Sequence, residues 1–474
     1  MCDRPTLRPG YLRSSRDAAW GKLDSQRQSV VPAVAGADAA AALPVGTFLP
    51  TDSKQLTWGL HLEFINRGNA SMRQIKNLIL TSALFVGALV GQQPIGQINV
   101  SWPNLTGSGS PTLDACLHYP ALVGGPNAPM ATPPNASGYP VVVFLHGYDK
   151  LGSDYAAIGN SLAESGYVAV MLNTSQWSFQ QLLADTHATY AAIAHLAANP
   201  NGPLSSKLDI DRVGLLGHSM GGAVVALVLD SSENAAVPNP GYKCGLCLSP
   251  VNPSLLQAGT TVSVPFGIVS GQGDMLTPPA LHATPYYNAV TPIEGLKFHY
   301  EMGLNCTHLN ICGLKRLNPS VFARSRKIIN GFFGQFLQGS LFGLEAILGM
   351  EGQGDPNLHQ LSVDTTVPQA WASGPLCIGT ITRVSVALEG GWGGVLAADS
   401  FGAPTATVVG TLLLDPASCF RLDEGPVAGE RFDVDIAVPP TSALIGISFA
   451  VQGAGSTVNS QLTLGSALGF TIVL

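Results

Sequence analysis

The chain has 474 residues, room for two or three domains, and 46% of them are apolar, enough for a large buried core. Charged residues make up only 11%, well under the roughly 25% of an average soluble protein, and the net charge of −7 is spread out with no basic stripe. That argues against nucleic-acid binding, while 54 glycines and 34 prolines point to a turn-rich, exported protein.

Residues 1–71 are rich in Arg, Ala and Pro and lack a helical or strand period, the pattern of a disordered or mis-assigned upstream extension. Met72 to Asn77 is a short basic segment, and Leu78 to Val90 an apolar one of 13 residues followed by Gly91. A basic start, a short apolar stretch and small residues for cleavage make 72–91 a signal peptide, and translation is expected to start at Met72. A membrane span needs about 20 apolar residues, so no integral span is expected after its removal. The expected location is secreted or periplasmic.

From 95 to 342 strands and helices alternate. Short apolar runs at Val141–Leu145, Val168–Leu172, Val213–Leu216, Cys244–Leu248 and Phe266–Val269 have the length of buried parallel strands. Helical stretches at Tyr155–Ala163 and Leu183–Ala198 lie between them, the second with Leu183, Tyr190, Ile193 and Leu196 on one face; residues 319–338 form a closing amphipathic helix. This alternation predicts a doubly wound α/β domain. A glycine-rich linker is expected over 343–365. Beyond it Phe432, Val434, Ile436 and Val438, then Ile445, Ile447, Phe449 and Val451, alternate with other residues, and Thr471–Leu474 is extended. That period of two predicts a small all-β, sandwich-like accessory domain over 366–474. Its role is either surface or polymer attachment or simple stabilisation; Trp371 and Trp392 are its only tryptophans, too few for an aromatic row.

The chemistry centres on Gly217-His218-Ser219-Met220-Gly221, a G-x-S-x-G sequence between the Val213–Leu216 strand and a helix over Ala223–Leu229. A serine on such a strand-to-helix turn is held in strained backbone and exposed at the sheet's C-terminal edge. His218 reads as a structural residue of the turn. Upstream, the Val141–Leu145 strand runs into His146-Gly147-Tyr148, which assigns the oxyanion donors to the backbone amides of Tyr148 and Met220. The supporting acid belongs at the end of a later strand, where Asp274 follows a glycine-rich exit. The base belongs after the next strand, Leu296–Met302, where His308 lies; His282 is a weaker rival. His299 falls inside that strand, His187 and His195 on a helix. Ser219, Asp274 and His308 in this order fit acyl transfer with no metal or organic cofactor.

Eight cysteines are scattered along the chain. Cys244 and Cys247 have a zinc-like spacing but no second ligand pair. Cys306 with Cys312, flanking His308, and Cys377 with Cys419 are candidate disulfides.

Leu117–Pro120, Tyr139–Tyr148, Gly217–Gly222, Asp274–Pro278 and His282–Asn288 resemble the corresponding stretches of the bacterial cutinases and polyester (PET) hydrolases, and of the related chlorophyllase and platelet-activating-factor acetylhydrolase-like enzymes. The resemblance covers roughly 98–338. It implies a lipase-like fold, an open site, and hydrolysis of lipid, cutin-like or polyester esters. It also implies that Leu276 lines the acyl cleft. Two departures stand out. Pro250 is followed by Val251 where those enzymes usually have tryptophan, leaving Trp177 as the aromatic residue available for substrate binding. The oxyanion turn begins with His146 rather than proline. Dienelactone or phospholipid-acetyl hydrolysis, or a non-catalytic binding role on the same scaffold, are the alternatives.

Overall fold

The computed structural model describes residues 93–174, 177–199, 204–231, 238–252, 261–292, 295–315, 318–388, 391–407, 410–427, 431–456 and 462–474. The expectations for 1–71 and 72–91 lie outside them.

The strands in chain order are β1 (Ile95–Pro103), β2 (Thr112–Pro120), β3 (Gly125–Pro126), β4 (Tyr139–Leu145), β5 (Val168–Leu172), β6 (Leu208–His218), β7 (Gly245–Leu248), β8 (Thr261–Val262), β9 (Phe266–Gly271), β10 (Thr291–Pro292), β11 (Leu296–Met302) and β12 (Leu358–Thr365). All but β8 and β10, which pair with each other, join one ten-stranded sheet in the order β12-β11-β9-β7-β6-β4-β5-β2-β1-β3. Its centre, β5, β4, β6, β7, β9 and β11, is parallel. The flanking pairs β2–β5 and β11–β12 are antiparallel.

The pleat sorts the side chains onto two faces. Val141, Val143 and Leu145 join one core with Val168, Val170, Val213 and Leu215, whereas Val142 and Phe144 join the other with Ala169, Met171 and Leu216. Helices α2 (Phe179–Ala198), α3 (Met220–Leu229) and α4 (Ala283–Ala289) supply the first core; α1 (Ala156–Glu164) and α5 (Pro319–Gln338) supply the second. Burial on both faces is what makes the strands continuously apolar. The result is a mixed sheet between helical layers, the arrangement of an α/β-hydrolase.

Helix α2 differs from its expected face. It buries Leu182, Asp185, Thr186, Thr189 and Ile193, with Leu183 and Tyr190 only partly covered. Thr186 and Thr189 donate their hydroxyls to the carbonyls of Leu182 and Asp185 at 2.6 and 2.7 Å, so polar residues occupy the inner stripe and blur its hydrophobic period.

The stretch 343–365 has structure of its own. Leu344, Ile347 and Leu348 are buried, and residues 358–365 form β12, hydrogen-bonded along β11. The C-terminal part is all-β: β13 (Gln369–Ala372), β14 (Ile381–Ala387), β15 (Trp392–Ala398), β16 (Phe401–Thr407), β17 (Gly410–Leu414), β18 (Phe420–Pro426), β19 (Arg431–Ala437), β20 (Ser448–Ser456) and β21 (Leu462–Thr471). Sheet β13-β14-β19 and sheet β18-β15-β20-β21 share a core of Val384, Val386, Val434, Val395, Val451, Leu468 and Phe470. The alternating run at 432–438 is β19, but residues 442–444 form a turn of 3-10 helix and the next strand starts only at Ser448.

Trp371 of β13 is fully buried among Leu344, Ile347 and Leu348, and its indole N–H donates to Glu345 Oε2 at 3.0 Å. Arg431 donates to the Leu348 carbonyl at 3.0 Å. The β-rich part is thereby packed against the end of the α/β domain. Both proposed disulfides are absent: Cys306, Cys312, Cys377 and Cys419 are free thiols. Cys306 and Cys312 are buried and directed at carbonyl oxygens, the first at Ser270 and the second at Leu309 and His308. Among the described residues no helix is long and apolar enough to cross a membrane.

Candidate active site

Strand β6 ends at His218 and α3 begins at Met220, leaving Ser219 alone to reverse the chain. It does so at φ 55°, ψ −115°, a conformation that a side chain adopts only under strain. A Cβ on Gly221 would collide with the carbonyl of Leu145, and one on Gly217 with that of Gly221. Strand and helix approach too closely at these two positions for anything larger than hydrogen.

Asp274 follows β9. Its Oδ1 accepts from the amides of Leu276 (2.9 Å) and Thr277 (2.8 Å), and its Oδ2 from the Thr277 hydroxyl and His308 Nδ1, both at 2.8 Å. Burial by itself would raise the carboxyl pKa. The His308 hydrogen bond and charge, together with the Thr277 donors, overcome that and hold it well below the usual carboxylate range. An ionised Asp274 fixes the proton of His308 on Nδ1, so Nε2 is left as an acceptor.

His308 lies in the loop after β11. Its carbonyl sits 2.8 Å from His218 Nε2, and the two imidazoles are 4.6 Å apart between centroids. The residue next to Ser219 thus ties the His308 loop to the Ser219 turn. No hydrogen bond within 3.5 Å joins Ser219 to His308 in this structure; such contacts commonly tighten only when substrate is bound.

The amides of Tyr148 and Met220 donate to no protein group among the described residues. The Met220 amide opens α3, where helix N–H groups have no internal acceptor. The loop carrying Tyr148 is held by the His146 ring, whose Nε2 lies 2.6 Å from the Thr174 carbonyl.

Around this centre the surface is apolar. Tyr148 and Trp177, each more than half exposed, meet edge to face with centroids 5.0 Å apart. Met275 and Leu276, beside Asp274 in the chain, are also exposed. Val251 donates its amide to the Ser219 carbonyl at 3.1 Å, which puts it next to Ser219 in space.

Residues 124–307 match the family model described as PET hydrolase-like. Curated relatives agree. A bis(hydroxyethyl) terephthalate hydrolase of Streptomyces coelicolor is 27% identical over 225 residues, 48% of this chain and 63% of that protein. Cutinase 1 of Thermobifida cellulosilytica is 27% identical over 152 residues, 32% of this chain and 54% of the relative. A Thermobifida fusca cutinase is 27% identical over 152 residues, 32% and 47%. The α/β domain is similar to the cutinases and PET hydrolases. The chain spans less than two thirds of the length of each of these relatives.

Within the α/β domain the other histidines have partners of their own. His282 precedes α4 and accepts from the Asn252 amide at 3.2 Å. His299 is buried against the Ser270 hydroxyl at 2.7 Å, and burial pushes its pKa down to about 4. The Cys247 thiol donates to the Gly222 carbonyl at 3.2 Å, and burial raises its pKa. No cluster of three metal-ligating side chains occurs among the described residues. Asp230, which ends α3, is buried.

Thr277 escaped the sequence reading. Its hydroxyl is 2.8 Å from Asp274 Oδ2, 3.1 Å from His308 Nδ1 and 3.1 Å from the Ser249 carbonyl. Its signal was the Asp-x-x-Thr spacing from Asp274, which suits a side-chain-capped turn.

Proposed function

We propose that this chain is an exported serine hydrolase that cleaves carboxylic esters through an acyl-enzyme, with Ser219 as nucleophile, His308 as base and Asp274 as supporting acid. The reading is supported by Ser219, strained at φ 55°, whose chain neighbour His218 has Nε2 2.8 Å from the His308 carbonyl, and by the His308–Asp274 pair bonded at 2.8 Å. The relatives' printed activities support an ester as substrate, and the exposed Tyr148, Trp177, Met275 and Leu276 suit an apolar acyl group or polymer chain. Export rests on the Met72–Val90 pattern.

His308 Nε2 takes the proton from Ser219 Oγ as the oxygen attacks the ester carbonyl, and Asp274 stabilises the imidazolium that forms. The carbonyl oxygen, now an anion, is held by the Tyr148 and Met220 amides. Collapse of the tetrahedral intermediate expels the alcohol with the proton from His308. Water, deprotonated by the same imidazole, then releases the acid. Trp177, Val251 and Leu276 border the acyl group. We also propose attachment to a surface or polymer as the role of the β-rich domain.

Release of p-nitrophenol from a short-chain ester tests the reading. The wild type is expected to turn over and Ser219→Ala to fall to background. A Ser219→Ala protein retaining more than about a tenth of the rate would overturn the assignment.

A further inference from the structure

A buried relay connects the two halves of the site, and its hydrogen-bond polarity is fixed by what its ends can do. Tyr155, at the start of α1, is almost wholly buried, and its ring leans on Phe144 at 4.6 Å between centroids. Its oxygen is 3.1 Å from the Gly147 amide and 2.9 Å from His218 Nδ1. His218 Nε2 is 2.8 Å from the His308 carbonyl. A carbonyl only accepts, so Nε2 carries the His218 proton and Nδ1 is an acceptor. The Gly147 amide only donates, so the tyrosine oxygen receives it and spends its own proton on Nδ1. One arrangement satisfies every group.

We propose that Tyr155 and His218 are positioning residues that set the oxyanion amide of Tyr148 and the imidazole of His308 together, through the chain Gly147 N–H to Tyr155 O–H to His218 to the His308 carbonyl. The inference rests on the ester hydrolase reading of the site for its kinetic consequence, but not for the hydrogen bonds themselves. Gly147 is held on both sides: Tyr155 receives its amide, and its carbonyl accepts from the Lys150 amide at 3.2 Å. The Lys150 bond holds the peptide plane that ends in the Tyr148 N–H, and the Tyr155 bond holds the preceding plane on which it pivots. A Cβ at Gly147 would lie 3.0 Å from the Tyr155 oxygen, 3.1 Å from His218 Nδ1 and 3.3 Å from Ser219 Cβ, so the relay packs directly against the nucleophile. Burial, reinforced by the neighbouring His308, pushes the His218 pKa down to about 3 and keeps its ring neutral, as the relay requires. Neither residue touches the reacting atoms.

Tyr155→Phe keeps the ring and removes both the donor to His218 Nδ1 and the acceptor of the Gly147 amide. Histidine-selective 15N spectra are expected to show His218 protonated on Nε2 in both proteins, with the Nδ1 resonance in Tyr155→Phe moved to that of a ring nitrogen that accepts no hydrogen bond. On p-nitrophenyl butyrate the variant is expected to lose about 10- to 100-fold in kcat, the scale of a misaimed oxyanion donor, with KM within about threefold and the melting temperature little changed. His218→Gln, whose amide can donate to the His308 carbonyl, should retain more kcat than His218→Leu. A Tyr155→Phe enzyme with kcat within about twofold of wild type, or a wild-type His218 protonated on Nδ1, would overturn the relay. If the wild type hydrolyses no ester, the functional reading fails, while the spectra still decide the relay.

Discussion

Asp274 and Thr277 show how the imidazole is oriented. The carboxylate accepts four hydrogen bonds and only one comes from His308, so its position survives changes in the histidine. Asp274→Asn is expected to lower kcat by about 10⁴, because an amide can present its N–H to Nδ1 and favour the wrong tautomer. Thr277→Val removes one donor to Oδ2 and leaves both amide donors in place, so the expected loss is about tenfold in kcat with little change in KM. Steady-state kinetics on a soluble ester measure both. Ser219, Asp274 and His308 were legible in the sequence because each follows an apolar strand at the edge where such sites form. Thr277, Tyr155 and the relay role of His218 were not, since their partners are 28, 31, 63 and 90 residues away in the chain.

The element that holds Ser219, the proposed nucleophile, is the junction of β6 and α3. Two glycines allow backbone to press on backbone there, and the strain at Ser219 is borne by packing around it. Gly221→Ala would drive a methyl group into the Leu145 carbonyl. It is expected to destabilise the fold by at least about 3 kcal/mol, read from urea unfolding, or to prevent accumulation of folded protein. The central strands could be read from apolar runs alone because both of their faces are buried. Strand β12 could not: its residues are mostly half-exposed at a sheet edge, and its pairing with β11 joins positions about 60 residues apart. The cysteine pairings failed for a related reason. Sequence proximity to His308 suggested a brace, whereas the fold turns both thiols towards carbonyl oxygens.

For the molecule as a whole, β12 and Trp371 make the β-rich part continuous with the α/β domain. One cooperative melting transition is expected, and Trp371→Ala, which empties a fully buried site, should cost about 3–5 kcal/mol. Acid should weaken the fold before any carboxylate is lost. His218 and His299, with pKa values of about 3 and about 4 when folded, take up protons near 6.5 in the unfolded chain. Between about pH 6 and pH 4 the unfolded state binds the extra protons, so stability falls as pH falls, by up to about 1.4 kcal/mol per pH unit for each group. Asp274, whose pKa is also lowered in the folded state, acts in the same sense and lower down. Its depressed pKa adds stability above about pH 3.9 that is lost only on further acidification. Urea unfolding across that range should show the decline, with a shallower slope in His299→Gln.

The most direct measurement is the reaction of the whole protein with a fluorophosphonate, followed by intact mass and peptide mapping. One equivalent is expected on Ser219, with labelling slowed strongly by Asp274→Asn and abolished by Ser219→Ala. Ester hydrolysis by a protein that remains unlabelled at Ser219, or labelling that settles on another residue, would contradict the account.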